Sequence, residues 1–239
     1  MIDVQNVSFG YGRGKVIDQV SFRMNDAEAV GLIGPNGAGK STMLRLCAAI
    51  LKPQEGSITV DGRAKYDAKA FARQLAFLPQ SRPTPDITVR ALVRMGRFAH
   101  SRNHQKAVED AIRTVGLEEL AERDVRTLSG GQRQMAYLAM LLAQESPNVL
   151  LDEPFTHLDI GAQLDAARVI RQMKESGKCV AVVMHDLNML ETVCDRVLLL
   201  DGGRIAFDGR PSDCLRSKEL EQAFGVRILT NRGISFEKR

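Results

Sequence analysis

The chain has 239 residues, 44% of them apolar, and its 33 basic residues exceed its 29 acidic ones for a formal charge of +4. That length and apolar content exclude a disordered or fibrous protein, and a charge excess spread along the chain excludes the concentrated basic block of a nucleic-acid-binding arm. No apolar run approaches the roughly 18–20 residues of a membrane span, and the opening MIDVQNVSFGYG has no basic leader ahead of an apolar region.

In chain order, residues 2–28 (IDVQNVSFGYGRGKVIDQVSFRMNDAE) alternate polar and apolar with loop glycines between, which predicts antiparallel strands; GSITVDGRA at 56–64 reads the same way. Five short, continuously apolar runs predict strands of a buried parallel sheet: AVGLIG at 29–34, LAFLPQ at 75–80, NVLLDEP at 148–154, CVAVVMHD at 179–186 and RVLLLDGG at 196–203. Between Pro83 and Pro147 the pattern turns helical. TVRALVRMGRFAH, HQKAVEDAIRTVGL and GQRQMAYLAMLLAQ carry apolar residues at three-and-four spacing. The expectation is one α/β domain, with residues 1–82 and 147–239 forming the core and 83–146 an inserted helical lobe. After Arg210 the chain reads as two short helices and a small hairpin. Cys47, Cys179, Cys194 and Cys214 have no metal-ligand spacing and read as reduced, cytosolic thiols.

GPNGAGKST, residues 34–42, fits G-x-x-x-x-G-K-[ST] and lies between the strand AVGLI and the helical MLRLCAAIL. Gly34, Gly37 and Gly39, with Pro35, Asn36 and Ala38 between them, let backbone N–H groups curl around a phosphate. The following helix start adds positive potential, and Lys40 a full charge for the β- and γ-phosphates of ATP. Ser41, followed by Thr42, supplies a hydroxyl for Mg²⁺. NVLLDEP delivers Asp152 and Glu153 at the C-terminal end of a strand, where ligands of such sheets bind. Asp152 is the expected Mg²⁺ partner and Glu153 the group that orients and deprotonates water. LSGGQ, residues 128–132, prepares a second helix N-terminus for an anion through Ser129, Gly130, Gly131 and Gln132, but brings no lysine, metal ligand or water activator. It is half a site, expected in the helical lobe away from the α/β core.

This series (P-loop, LSGGQ, LLDEP, then a histidine after the next strand) resembles that of ATP-binding cassette (ABC) ATPases over essentially the whole chain. The resemblance implies that Tyr11 stacks on adenine, that Gln80 in FLPQS senses Mg²⁺ and the lobe, that Asp159 in THLD lies at a subunit interface, and that His185 in VVMHDLN contacts the γ-phosphate. It also implies a head-to-tail homodimer in which Ser129, Gly130 and Gly131 close on ATP held by the other subunit. Phe155, Thr156 and His157 depart from the small or hydroxyl residues common there, so contacts across the interface should differ.

One cassette without a membrane span resembles the separate ATPase subunits of bacterial importers. The resemblance then implies two transmembrane permease subunits as partners, an indirect link to a periplasmic or surface substrate-binding protein, no nucleic acid, and a place on the cytoplasmic face of the inner membrane. VRMGRFAHSR, with Gly96, Arg97, Phe98 and His100, is similar to a segment in ATPases of iron-siderophore, haem and cobalamin uptake, as are HDLN and LAMLLAQE. Read from the residues alone, Arg97 and His100 also fit the solvated end of an amphipathic helix. An iron chelate, ferric siderophore ahead of haem or cobalamin, is the expected cargo; a zinc or manganese importer and a soluble non-transport ATPase are the alternatives.

Overall fold

The computed structural model describes residues 1–12, 14–64, 67–100, 104–229 and 235–238. Strands β1 (Ile2–Phe9) and β2 (Ile17–Met24) pair antiparallel; β3 (Ala29–Ile33) then leads into α1 (Lys40–Cys47). β4 (Glu55–Val60) returns to the other edge of β1, completing the three-stranded sheet that the polar–apolar alternation predicts. Next come α2 (Ala68–Gln74), β5 (Leu75–Leu78), α3 (Val89–Met95), α4 (His104–Thr114) and α5 (Gly130–Gln144). The chain continues through β6 (Asn148–Asp152), α6 (Ile160–Glu175), β7 (Cys179–Val183), α7 (Leu190–Val193), β8 (Arg196–Asp201) and β9 (Arg204–Gly209). It ends in α8 (Pro211–Cys214), α9 (Lys218–Phe224) and the antiparallel pair β10 (Val226–Leu229) and β11 (Ser235–Lys238).

The main sheet has the order β5-β6-β7-β3-β8-β9, parallel except for β9. Its strands are apolar on both faces because each face has its own core. Ala29, Ile33, Val149, Leu151, Val180 and Val182 enter one apolar cluster, and Val30, Leu32, Leu150, Ala181 and Val183 the other. Side chains that alternate along a strand fill opposite sides, so a sheet covered twice needs unbroken apolar runs. The helices α3, α4 and α5 share the first cluster, which joins the helical segment to the sheet. α2 escapes the sequence pattern: it fully buries no residue and packs on the second cluster through Phe71 alone, so it has no apolar stripe to announce it. All four cysteines are buried, and burial pushes the thiols of Cys47, Cys179, Cys194 and Cys214 up to about 12. Among the described residues no helix is long and apolar enough to cross a membrane.

The segment Gly96–His100 closes the C-terminal end of α5. The Arg97 guanidinium, only 3% exposed, donates to the Ala143 carbonyl at 2.7 Å and pairs with Glu145 at 2.5 Å, while His100 Nε2 donates to the Gln144 carbonyl at 2.9 Å. Basic side chains on the last carbonyls of a helix satisfy orphan acceptors and oppose the dipole. Arg97 is therefore a buried helix cap, and its reading as a solvated helix end is corrected. A Cβ on Gly96 would lie 2.2 Å from the Met140 carbonyl oxygen. Gly96→Ala is expected to destabilise the protein by about 1–3 kcal/mol through overpacking, seen as a lower denaturation midpoint at unchanged m-value.

Candidate functional site

The fully buried β3 delivers the chain to a loop that only glycines can form. Gly34, Gly37 and Gly39 have φ of 145°, 82° and 100°, and a Cβ on Gly34 would sit 2.1 Å from the Leu200 carbonyl oxygen. The loop tightens through Ala38 N donating to the Pro35 carbonyl. The first intrahelical bond of α1 runs from Met43 N to the Gly39 carbonyl, so the N–H groups of Lys40, Ser41 and Thr42 precede the helix ladder. Lys40 is buried, and its ammonium donates to the carbonyls of Gly34 and Pro35 at 2.8 and 2.9 Å. Burial lowers its pKa, opposed by the nearby carboxylates of Glu153 and Asp152.

β6 ends on Asp152, whose Oδ1 accepts from Ser41 Oγ at 2.9 Å. Its Oδ2 is buried with no hydrogen-bond partner among the described residues. Burial pushes the Asp152 pKa up, against the Ser41 hydrogen bond. A half-satisfied buried carboxylate beside a hydroxyl is a set of hard oxygen donors with one oxygen still unpaired, and this fits Mg²⁺.

Glu153 follows in the left-handed region, φ 54°, which turns its side chain out of the strand direction. One carboxylate oxygen accepts from His185 Nε2 at 2.7 Å; the other accepts from Gln80 Nε2 at 2.8 Å and from Thr156 Oγ1 at 3.1 Å. Segments after β5, β6 and β7 thus converge on one carboxylate. A cleft of about 340 Å³ joins Glu153 and His185 to Asn36, Gly37 and the start of α1, with Tyr11 and Val16 on its rim. Tyr11 is 62% exposed; its hydroxyl lies 3.3 Å from Thr42 Oγ1 and its ring meets Phe9 edge-on at 5.1 Å.

Ser129, Gly130, Gly131 and Gln132 do not line this cleft. They form the N-terminus of α5 as a capping box, Ser129 Oγ accepting from Gln132 N and Gln132 Oε1 from Ser129 N, so the helix starts at Gly130. Nor is this terminus away from the core. A Cβ on Gly131 would be 2.8 Å from the Ala162 Cβ of α6, and the Gly130 position faces the His157 carbonyl at 3.9 Å. Asp159 is the N-cap of α6, accepting from Ala162 N at 2.8 Å, and also stands outside the cleft.

The departures at 155–157 have separate explanations. Phe155 is buried in the core cluster, Thr156 holds Glu153, and His157 takes a left-handed turn with φ 62°. Thr156 is the residue of the Glu153 group that sequence reasoning had not placed there; its position three residues after Glu153 in a turn was the available signal.

The sequence model of the family described as ABC transporter matches residues 17–156, more than half of the chain. The ferric enterobactin transport ATP-binding protein of Escherichia coli is 36% identical over 236 residues, covering 94% of this chain and 87% of that protein. The hemin import ATP-binding protein of Pseudomonas aeruginosa is 37% identical over 243 residues, covering 97% and 95%. Among solved structures, a dimeric ATP-binding cassette in a post-hydrolysis state bound to ADP and Pi superposes with a TM-score of 0.79 at 26% identity, covering 88% of this chain and 99% of that one.

Proposed function

Since the chain belongs to the ABC transporter family and is an ATP-hydrolysing transport subunit, we propose that it drives import of an iron chelate, ferric siderophore ahead of haem or cobalamin. The cargo reading is supported by relatives that transport ferric enterobactin and hemin and match almost end to end. The reading of the site is carried by one observation: Glu153, held by Gln80, Thr156 and His185, faces the cleft that begins at the P-loop.

In this mechanism Lys40 and the N–H groups at the start of α1 hold the β- and γ-phosphates, and the Tyr11 ring stacks on adenine. Ser41 and Asp152, with Gln80 on the adjoining Glu153, would hold Mg²⁺, which would supply positive charge against the phosphates. Glu153 takes the proton of the attacking water, and His185, already bonded to it, orients the carboxylate and contacts the γ-phosphate. Two copies pair head to tail so that Ser129, Gly130 and Gly131 of one close on ATP in the other, with Asp159 at the interface. ATP therefore favours closure and hydrolysis favours opening, the coupling expected when a ligand contacts only one of two states. The pair docks on two permease subunits at the cytoplasmic face of the inner membrane, and a substrate-binding protein delivers cargo from the other side.

The test is transport. Vesicles carrying the polytopic membrane proteins that co-purify with this chain are expected to accumulate ferric siderophore with internal ATP. Accumulation of Zn²⁺ or Mn²⁺ in its place would overturn the cargo.

A further inference from the structure

We propose that a second pocket, between the segment after β5 and the first two turns of α5, binds inorganic phosphate. It measures about 230 Å³ and has no residue lining it in common with the P-loop cleft. Gly130, Arg133, Gln134 and Tyr137, at three-and-four spacing, make one wall from a single stripe of α5. Arg82 makes the facing wall. Its guanidinium carbon lies 5.0 Å over the Tyr137 ring, and the Tyr137 hydroxyl donates to the Pro83 carbonyl, tying the two walls together.

Arg82 Nη1 and Gln134 Nε2 are buried donors without hydrogen-bond partners among the described residues, and Gln134 is only 4% exposed. Burial works against the charge on Arg82, and Arg133 adds a second guanidinium that repels it. No carboxylate lies among the described residues lining the pocket, and the N-terminus of the 15-residue α5 contributes about half a positive charge. A half-buried cation with one unpaired buried N–H and a buried amide donor each carry a desolvation penalty that a multivalent oxyanion removes at once.

Phosphate rather than another oxyanion is indicated by the neighbours. Gln80 and Thr156 line the pocket, and both donate to Glu153. The pocket therefore adjoins the carboxylate at which, on the function proposed above, water attacks and phosphate is released. Phosphate leaving the reaction centre would meet Arg82, and its presence there would slow reopening of the site to water. The inference rests on that ATPase reading.

The experiment is equilibrium dialysis of radiolabelled inorganic phosphate against the full chain saturated with MgADP, so that the P-loop is filled. One phosphate per chain is expected. Arg82→Gln and Gln134→Leu should each weaken it about tenfold, equivalent to one lost charge-assisted hydrogen bond, with ADP affinity unchanged. No phosphate bound by the wild-type chain, or phosphate bound by both variants as tightly as by the wild type, overturns the proposal. So does acetate binding more tightly than phosphate, which would make the pocket a seat for an acidic side chain. ADP is measured in the same sample: a wild-type chain that binds ADP but no phosphate overturns this proposal alone, whereas a wild-type chain that binds no ADP overturns the ATPase reading and this proposal with it.

Discussion

Glu153→Gln is expected to bind ATP as the wild type does and to hydrolyse it roughly 10²- to 10⁴-fold more slowly, the usual contribution of a positioned general base. The substitution keeps the size of the side chain and removes its ability to accept a proton. Binding should survive because the groups proposed to hold the phosphates, Lys40 and the N–H groups at the start of α1, belong to a different segment, and Ser41 keeps its bond to Asp152. With binding intact and chemistry blocked, ATP-closed dimers should accumulate and elute earlier on size-exclusion chromatography. Normal turnover by the variant would remove Glu153 from the role of base. The local cost is small: an amide can still accept from either Gln80 or His185, though not from both through equivalent oxygens.

Ser129→Arg is expected to abolish cooperative ATP turnover while leaving ATP affinity of the isolated subunit nearly unchanged. The residue lies outside the P-loop cleft of its own chain, so a larger cationic side chain there has no nucleotide to displace within one subunit. Across the proposed dimer it would occupy the space into which the γ-phosphate of the partner must fit. The variant also loses the hydroxyl that caps α5, at a cost of about 1 kcal/mol. That loss is too small to unfold a domain of ordinary stability, so it cannot imitate a complete loss of turnover. Titration of monomer with a fluorescent ATP analogue, beside turnover measured against protein concentration, separates the two effects. Weak binding in the monomer would argue that Ser129 serves its own cleft.

The residue types at Arg97 and His100 illustrate what a sequence pattern conceals. A basic residue and a histidine after an amphipathic helix fit a solvated end, yet Arg97 is buried on the carbonyls that end α5. Nothing within ten residues of Arg97 shows this, because its partners Ala143 and Glu145 lie 46 and 48 residues away. The glycine before it has the same explanation: Gly96 lets α3 approach the Met140 carbonyl. The segment that resembles iron-chelate ATPases thus works as a clamp on the C-terminal end of α5.

LSGGQ was legible in part. Its helix start and capping box follow from Ser129 and Gln132 at N-cap and N3 spacing. Its packing against α6 at Gly131 was not, and it gives that glycine a structural reason beside the proposed one of admitting a phosphate.

By itself, the sequence determined the parallel core, its antiparallel flank and the phosphate loop. A strand buried on both faces must be apolar throughout, and a phosphate loop is built from nine consecutive residues, 34–42, whose glycines and lysine act on neighbours along the chain. Only the tertiary structure decided that Gln80, Thr156 and His185 meet on the Glu153 carboxylate, that Asp152 is left with one buried oxygen unpaired among the described residues, and that Arg82 and Gln134 line one pocket, each with a donor unpaired among those residues. Those groups come from strand ends and helix faces far apart in the chain, and the parallel order β5-β6-β7 is what carries their ends to the same edge.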